Sequence, residues 1–266
     1  MMIKKLSGVF VLACILAVPN AEAAVKKSER DLILITHLDP SEDGEFWNAV
    51  YTFIENNGVS SAKRHLSDQY REIHVIQTKR SDTKKKATMA KVVTLLDTVT
   101  KRKKTKAVDM LWMTHGLSRG RIQLQRKKQG DDPNVTLSVK NKLAEKIRST
   151  LSNRQRAKLR ALHSTACYGA SAMEGWIHAG FKVVSGGRRV YADAASSQPK
   201  FLKAWKAGKS FKKSIAAANE SQERDWWDKQ VAKLSRYKDR YEVDSYRKMK
   251  GQRCININTT PSKVCK

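Results

Sequence analysis

Two short apolar segments of the sequence each end in a residue that can take part in covalent catalysis. Residues 108–114 lead into His115 and Gly116, and residues 159–166 lead into Cys167. Short apolar runs between helical patterns predict buried strands of a parallel sheet. Ligands of such sheets bind beyond the carboxyl ends of the strands, so both residues fall where chemistry is usually placed. A histidine and a cysteine brought together there can form a nucleophile with its base.

The rest of the chain supplies the elements that position this pair. Amphipathic helical patterns alternate with apolar, β-branched strand patterns at 31–36, 72–77, 108–114, 159–165 and 181–185. The helix predicted at 45–56 is expected to end at Gly58. A further helix is expected directly after Cys167, where its N-terminus would lower the thiol pKa. The order of the elements predicts an α/β fold, namely a three-layer α/β/α sandwich with a mainly parallel sheet.

Three segments are distinguished along the chain. Residues 1–23 carry a basic start, a short apolar stretch and an Ala-x-Ala site, the pattern of a secretory signal peptide. Residues 24–235 form the α/β domain, with a hairpin and a helix inserted at about 117–158. Residues 236–266 form a basic C-terminal extension. No segment after the signal is apolar enough to span a membrane, so we expect an exported protein, periplasmic or secreted, that is not transmembrane.

The cysteines fit an oxidising compartment. Removal of Cys14 with the signal leaves three, of which Cys254 and Cys265 lie close together near the C-terminus. Export favours a disulfide between these two, which would hold the C-terminal segment in place. Cys167 is then unpaired, and an unpaired cysteine in an exported protein is either a core thiol or a reactive one. The cysteine count alone leaves both interpretations open.

The chain is strongly basic: 53 Lys and Arg residues against 25 Asp and Glu residues give a formal net charge of +28. Such a charge favours contact with an anionic surface or a polyanion such as nucleic acid, lipopolysaccharide or anionic lipid. The basic residues are spread along the whole chain, which instead favours an exported protein with a generally basic surface. The sequence contains no specific nucleic-acid motif, no Gly-rich phosphate loop and no metal-ligand spacing, so we expect no metal and no cofactor.

The two segments together resemble the caspase-like (clan CD) cysteine peptidases, and among them the clostripain, gingipain and CHAT-domain branch. In that family one hydrophobic strand ends in Ser or Thr followed by His-Gly, and a second ends in Ala-Cys, often followed by x-Gly. The residues that match this pattern are Thr114, His115, Gly116, Ala166, Cys167 and Gly169. His115 and Cys167 are separated by 52 positions (167 − 115), close to the spacing of about 50 in caspases. The resemblance covers about residues 31–219, and Thr165 departs from the Asp or Gln often found before Ala-Cys.

The resemblance implies an endopeptidase whose substrate is a protein or peptide. Cys167 would form a thioester, His115 would act as general acid and base, and the amides of Gly116 and Cys167 would form the oxyanion site. Asp193 lies roughly where the family builds its S1 pocket, and an acid there favours Lys or Arg at P1. A turn or salt-bridge role is the alternative for Asp193. His37 either lines the pocket, competes as the base, or only packs.

Two functional hypotheses therefore follow from the sequence. The first is an exported cysteine endopeptidase with His115 and Cys167 as a catalytic dyad. The second is a non-catalytic, basic envelope or secreted protein that binds polyanions.

Overall fold

The computed structural model describes residues 24–38, 44–78, 87–125, 134–220, 222–234 and 242–265. The proposed signal peptide, residues 1–23, lies outside these ranges. Within them, no helix combines the length and the apolar character that crossing a membrane requires.

The strands form two sheets. Their bounds are β1 Arg30–His37, β2 Glu72–Gln77, β3 Ala107–Thr114, β4 Gly116–Leu117, β5 Arg121–Gln125, β6 Asn134–Ser138, β7 Leu159–Ser164, β8 Val183–Gly187 and β9 Arg247–Gly251. The central sheet has six strands in the order β2-β1-β3-β7-β8-β9. Its neighbours are parallel except for β8 and β9, which are antiparallel. The small sheet, β4-β5-β6, is antiparallel and follows His115 directly.

The helices connect these strands. They are α1 Gly44–Leu66, α2 Met89–Lys101, α3 Glu145–Thr150, α4 Asn153–Arg156, α5 Met173–Ala179, α6 Ala194–Lys206, α7 Phe211–Asn219 and α8 Gln222–Leu234. Short 3₁₀ turns occupy Lys27–Glu29 and Gly169–Ala172, and a π-helical turn, Val139–Ala144, leads into α3.

Two apolar clusters cover the two faces of the central sheet. Because side chains alternate along a strand, Leu32 and Leu34 of β1 join the cluster formed with α1, α6 and α7. Ile33 and Ile35 point to the opposite face and join the cluster formed with α2, α3 and α5. This burial on both faces explains the continuous apolar runs of the strands. The predicted three-layer α/β/α sandwich with a mainly parallel sheet is confirmed.

The first helix differs from the sequence prediction. We expected it to end at Gly58, but α1 continues to Leu66. A Cβ atom at position 58 would lie 2.4 Å from Cε of Met113 in β3, so glycine allows the helix to pack closely on the sheet. Glycine inside a helix costs about 1 kcal/mol relative to alanine, and the tertiary contact outweighs that cost.

The segment that we assigned to a C-terminal extension is joined to the α/β domain. Its strand β9 forms an edge of the central sheet, so the boundary placed near residue 235 does not separate it from the domain. The carbonyl oxygen of Ile257 accepts hydrogen bonds from Arg30 and Arg160 at 2.5 and 2.7 Å. The predicted disulfide between Cys254 and Cys265 is present. The charged sequence of β9 gives no apolar pattern from which an edge strand could be recognised.

Candidate active site

The histidine and cysteine segments meet at the carboxyl end of the central sheet. Their strands, β3 and β7, are neighbours, and the Thr165 N–H extends the pairing by donating to the Trp112 carbonyl at 2.9 Å. Gly116 lies directly against Cys167: a Cβ atom on Gly116 would stand 1.8 Å from the Cys167 carbonyl oxygen. No other residue type fits this contact. Because His115 immediately precedes Gly116, the two candidate catalytic residues are carried on touching segments of backbone.

Three elements fix the position of His115. Its N–H donates to the His37 carbonyl at the end of β1, at 3.3 Å, and its carbonyl accepts from the Gln123 N–H of β5, at 3.0 Å. Its half-exposed ring meets the ring of Tyr51 in α1 edge to face, with centroids 4.9 Å apart. The backbone and the ring are therefore both held by the fold.

The Cys167 thiol accepts a hydrogen bond from the Tyr191 N–H, with a nitrogen–sulfur distance of 3.3 Å. Burial raises the pKa of the thiol, and the Tyr191 amide opposes this rise only in part. The expected helix does not begin directly after Cys167, because a 3₁₀ turn comes first and α5 begins at Met173. The prediction of a lowered thiol pKa is therefore wrong. A protonated thiol needs a base before it can attack.

The chain turns sharply after Cys167. Tyr168 has φ 52° and ψ 20°, in the left-handed region that costs a non-glycine residue about 1–2 kcal/mol. The Tyr168 N–H donates to the Arg189 carbonyl at 2.7 Å, and its carbonyl accepts from the Ser171 N–H at 2.9 Å. A strained backbone conformation of this kind persists only where the surrounding contacts hold the residue in place, and such residues cluster at functional sites.

Two backbone N–H groups in the touching His115 and Cys167 segments take no part in the strand ladders. The bond from Gln123 to His115 makes Gly116 and Ile122 a non-hydrogen-bonded pair of the β4–β5 ladder, so the Gly116 N–H points away from β5. Apart from its own thiol, no described residue accepts a hydrogen bond from the Cys167 N–H. Both amides belong to the two segments that touch.

The structure places Asp193 and His37 in the interior. The carboxylate of Asp193 is fully buried, accepts a hydrogen bond from Ser196, and lies 3.7 Å from the Arg247 guanidinium. Burial raises the pKa of Asp193, and the Ser196 hydrogen bond and Arg247 oppose that rise. His37 is 1% exposed, with Nδ1 3.0 Å from the Thr78 hydroxyl. The geometry of Asp193 fits the salt-bridge alternative for this residue.

No sequence pattern indicates the hydrogen bond from Tyr191 to the thiol. A backbone N–H is common to every residue except proline, so residue type carries no signal for it. The buried Arg247 that contacts Tyr191 was also missed, because it belongs to the unrecognised strand β9.

One group of potential metal ligands exists in the described part of the chain. Ligand atoms of Asp31, Glu72 and His74 lie within 4.8 Å of one another, at the opposite end of the sheet from Cys167. The Asp31 carboxylate already accepts hydrogen bonds from Arg71 and from Thr105. Cationic and hydroxyl donors thus occupy the oxygens that a metal would need.

Comparison with solved structures identifies the fold. Caspase-1 from Spodoptera frugiperda superposes with a TM-score of 0.52 at 10% sequence identity, over 92% of this chain and 94% of the caspase. The central sheet, its flanking helices and this likeness define a caspase-like fold, as the sequence predicted. At this identity the likeness establishes the fold alone.

Two further structures are similar at TM-scores below 0.5, on which we base no argument. The Drosophila initiator caspase Dronc gives 0.48 at 11% identity, over 92% of this chain and 88% of Dronc. A secreted C11 cysteine protease from Bacteroides thetaiotaomicron gives 0.44 at 12% identity, over 74% of this chain and 63% of the protease. No protein-family model and no curated protein matches the sequence. The closer relation to clostripain and gingipain stays a prediction.

Proposed function

We propose that this protein is a cysteine endopeptidase in which Cys167 is the nucleophile and His115 the general acid and base. The observation that carries the proposal is the contact of Gly116 with Cys167, which places the His-Gly and Ala-Cys segments together at the carboxyl end of the sheet. The caspase-like fold supports it by analogy only. The strained turn at Tyr168 and the two unused amides support it independently of the fold.

The proposed mechanism assigns one task to each group. Burial keeps the thiol protonated at rest, so His115 takes the thiol proton as Cys167 attacks the peptide carbonyl carbon. The N–H groups of Gly116 and Cys167 stabilise the negative oxygen of the tetrahedral intermediate. His115 returns the proton to the leaving amine, which leaves a thioester on Cys167. Water activated by His115 then hydrolyses the thioester and restores the thiol.

Export of the protein is part of the proposal. The N-terminal pattern of residues 1–23 is that of a secretory signal. The disulfide between Cys254 and Cys265 is of a kind that persists in the periplasm or outside the cell and is rare in the cytosol. We therefore place the peptidase in one of those two compartments, acting on protein or peptide substrates.

The test is cleavage of a mixed peptide library by the mature protein, beside Cys167→Ala and His115→Ala. The library reports the P1 preference without prior assumption, and an acidic S1 group at Asp193 would appear as cleavage after Lys or Arg. Loss of cleavage in both variants, with unchanged thermal unfolding, is the expected result. Cleavage that survives in Cys167→Ala would refute the assigned nucleophile. A wild-type protein that cuts nothing would favour the second candidate function.

That second candidate is binding of a polyanion. Helices α6 and α7 contain five lysines and no acidic residue; α7 packs against α6, and α6 packs against α1, whose last turn is basic. Burial and the positive charges of Arg64, Lys203 and Lys206 lower the pKa of His65, so these cations from two helices share one surface. Contacts between lysines and phosphates weaken as salt rises. Affinity for lipopolysaccharide that falls steeply between low and high salt would support this function, whereas salt-independent binding would exclude it.

A further inference from the structure

We propose that Arg247 is a positioning residue for the nucleophile, acting through Tyr191. This inference rests on the proposed function, because it concerns how the thiol of Cys167 is kept reactive. The starting observation is the Tyr191 N–H, which donates to the Cys167 sulfur at 3.3 Å. Burial raises the thiol pKa, and among the influences that lower it and favour the thiolate this hydrogen bond is the largest.

The side chain of Tyr191 holds that amide in place. Tyr191 is buried, with 8% of the residue exposed, and its hydroxyl lies 2.9 Å from the Ser197 hydroxyl in the first turns of α6. The Arg247 guanidinium donates a hydrogen bond to the same hydroxyl and stands 4.8 Å from the centre of the ring. The phenol is thus held at its oxygen and over its face, which restricts the backbone from which the amide projects.

Arg247 is itself rigidly mounted. Its Nη1 donates to the Ala218 carbonyl and to Oδ1 of Asn219, each at 3.2 Å. The Asn219 amide bonds the Arg247 backbone in both directions, at 2.9 and 3.1 Å. The fully buried carboxylate of Asp193, 3.7 Å away, compensates the charge of Arg247. The guanidinium therefore links α7, β9 and the segment after β8 to the thiol.

The geometry assigns different tasks to the two features of Arg247. Its positive charge balances Asp193 and supports the fold. Its planar guanidinium, which both bonds the hydroxyl and covers the ring, positions Tyr191. Lysine keeps the first feature and loses the second, because its ammonium is a point charge without a planar donor fork. Arg247→Lys thus removes the positioning with the least damage to the fold.

The experiment measures the rate of iodoacetamide alkylation of Cys167 as a function of pH in the wild type, Arg247→Lys and Lys250→Met. Lys250 lies in the same strand but is exposed and pairs with Glu174, so its loss changes charge without touching Tyr191. We expect Arg247→Lys to raise the apparent thiol pKa and slow labelling at pH 7 by about tenfold, the factor that one pKa unit produces. Lys250→Met should stay within about twofold of the wild type.

If Arg247→Lys does not fold, a double variant without the two buried charges provides a second test. The double variant Arg247→Met, Asp193→Asn removes both buried charges at nearly constant volume. It should preserve the fold better than Arg247→Met alone, which would leave the Asp193 carboxylate buried without its partner. It should show the same rise in apparent thiol pKa. Folded variants that label like the wild type would overturn the positioning role while leaving the peptidase proposal intact. A wild-type thiol that does not react at any pH would instead remove the peptidase proposal, and this inference with it.

Discussion

The two ends of the central sheet both gather ionisable groups, but they use them differently. At the amino end, Asp31 accepts hydrogen bonds from Arg71 and from the Thr105 hydroxyl at 2.8 Å, and His74 lies 3.4 Å away. At the carboxyl end, the thiol of Cys167 accepts a hydrogen bond from the Tyr191 N–H, and no charged partner among the described residues lowers its pKa. The N–H groups of Gly116 and Cys167 are left out of the strand ladders.

The same burial has opposite outcomes at the two ends. Burial alone would raise the pKa of Asp31, but the hydrogen bonds from His74, Thr105 and Arg71 outweigh it and lower the pKa. For Cys167 burial prevails, and the pKa is raised. Fully paired groups stabilise a fold, whereas partly paired groups retain the capacity to bind or react. We therefore expect substitutions at the amino end to change stability and those at the carboxyl end to change activity.

Replacing one histidine at each end of the sheet with alanine gives the largest expected difference in catalytic efficiency. His115→Ala should lower kcat/KM for a cleaved peptide by about 10³-fold, or about 4 kcal/mol, because the thiol loses its base. His74→Ala, at the amino end, should leave kcat/KM per folded molecule within about twofold. Steady-state kinetics with active-site titration would measure both. Equal losses in the two variants would contradict the separation of roles.

Removal of the buried acid at the amino end gives the next largest effect. Asp31→Asn should lower the free energy of unfolding by about 2–3 kcal/mol, because Arg71 and Thr105 lose a charged acceptor. Asp68, exposed and paired with Lys206 at 2.7 Å, provides the control. Asp68→Asn should cost less than about 1 kcal/mol. Urea unfolding measures both variants, and a normal alkylation rate of Cys167 in Asp31→Asn should accompany the loss of stability.

The pH dependence of stability gives the smallest and most specific effect. The pKa of Asp31 is lowered on folding, so its contribution is present above the unfolded pKa of about 3.9 and is lost as pH falls through the folded pKa. The pKa of Asp193 is raised, so its contribution is present below about pH 3.9 and is lost as pH rises through its folded pKa.

In Asp31→Asn, Tm should therefore fall less than in the wild type as the pH is lowered. In Asp193→Asn, Tm should rise more steeply than in the wild type as the pH increases above 4. The measurement is Tm between pH 2.5 and 6 for the wild type and both variants. Asp225→Asn, which changes an exposed carboxylate, serves as the control. If both variants changed the slope of Tm against pH in the same direction relative to the wild type, the two carboxylates would not differ as described.

The sequence was sufficient for features that are local. The apolar runs of β3 and β7, each ending in a catalytically competent residue, predicted the sheet and the place of His115 and Cys167 within it. Periodicity along short segments decides such elements, and burial on both faces of the sheet makes their apolar runs continuous.

The sequence was insufficient where distant segments determine the outcome. α1 continues through Gly58 because Met113, 55 positions further on (113 − 58), packs against it. The strand β9 exists because β8 offers an edge, although its own residues are mostly charged. The hydrogen bond from Tyr191 to Cys167 is donated by a backbone N–H, which the residue type does not predict. Tertiary contacts decide each of these features, and local patterns do not encode them.

The carbonyl oxygen of Ile257 has a consequence for the order of folding. It accepts hydrogen bonds from Arg30 in β1 and from Arg160 in β7, both of them buried guanidinium groups. Asp109 and Gln69 supply other acceptors to Arg160 and Arg30, but each guanidinium group still lacks one buried acceptor until Ile257 is in place. We therefore expect the sheet to complete its packing only once the segment around Ile257 has docked. For a chain that is exported as proposed, this requirement favours completion of the fold after passage across the membrane.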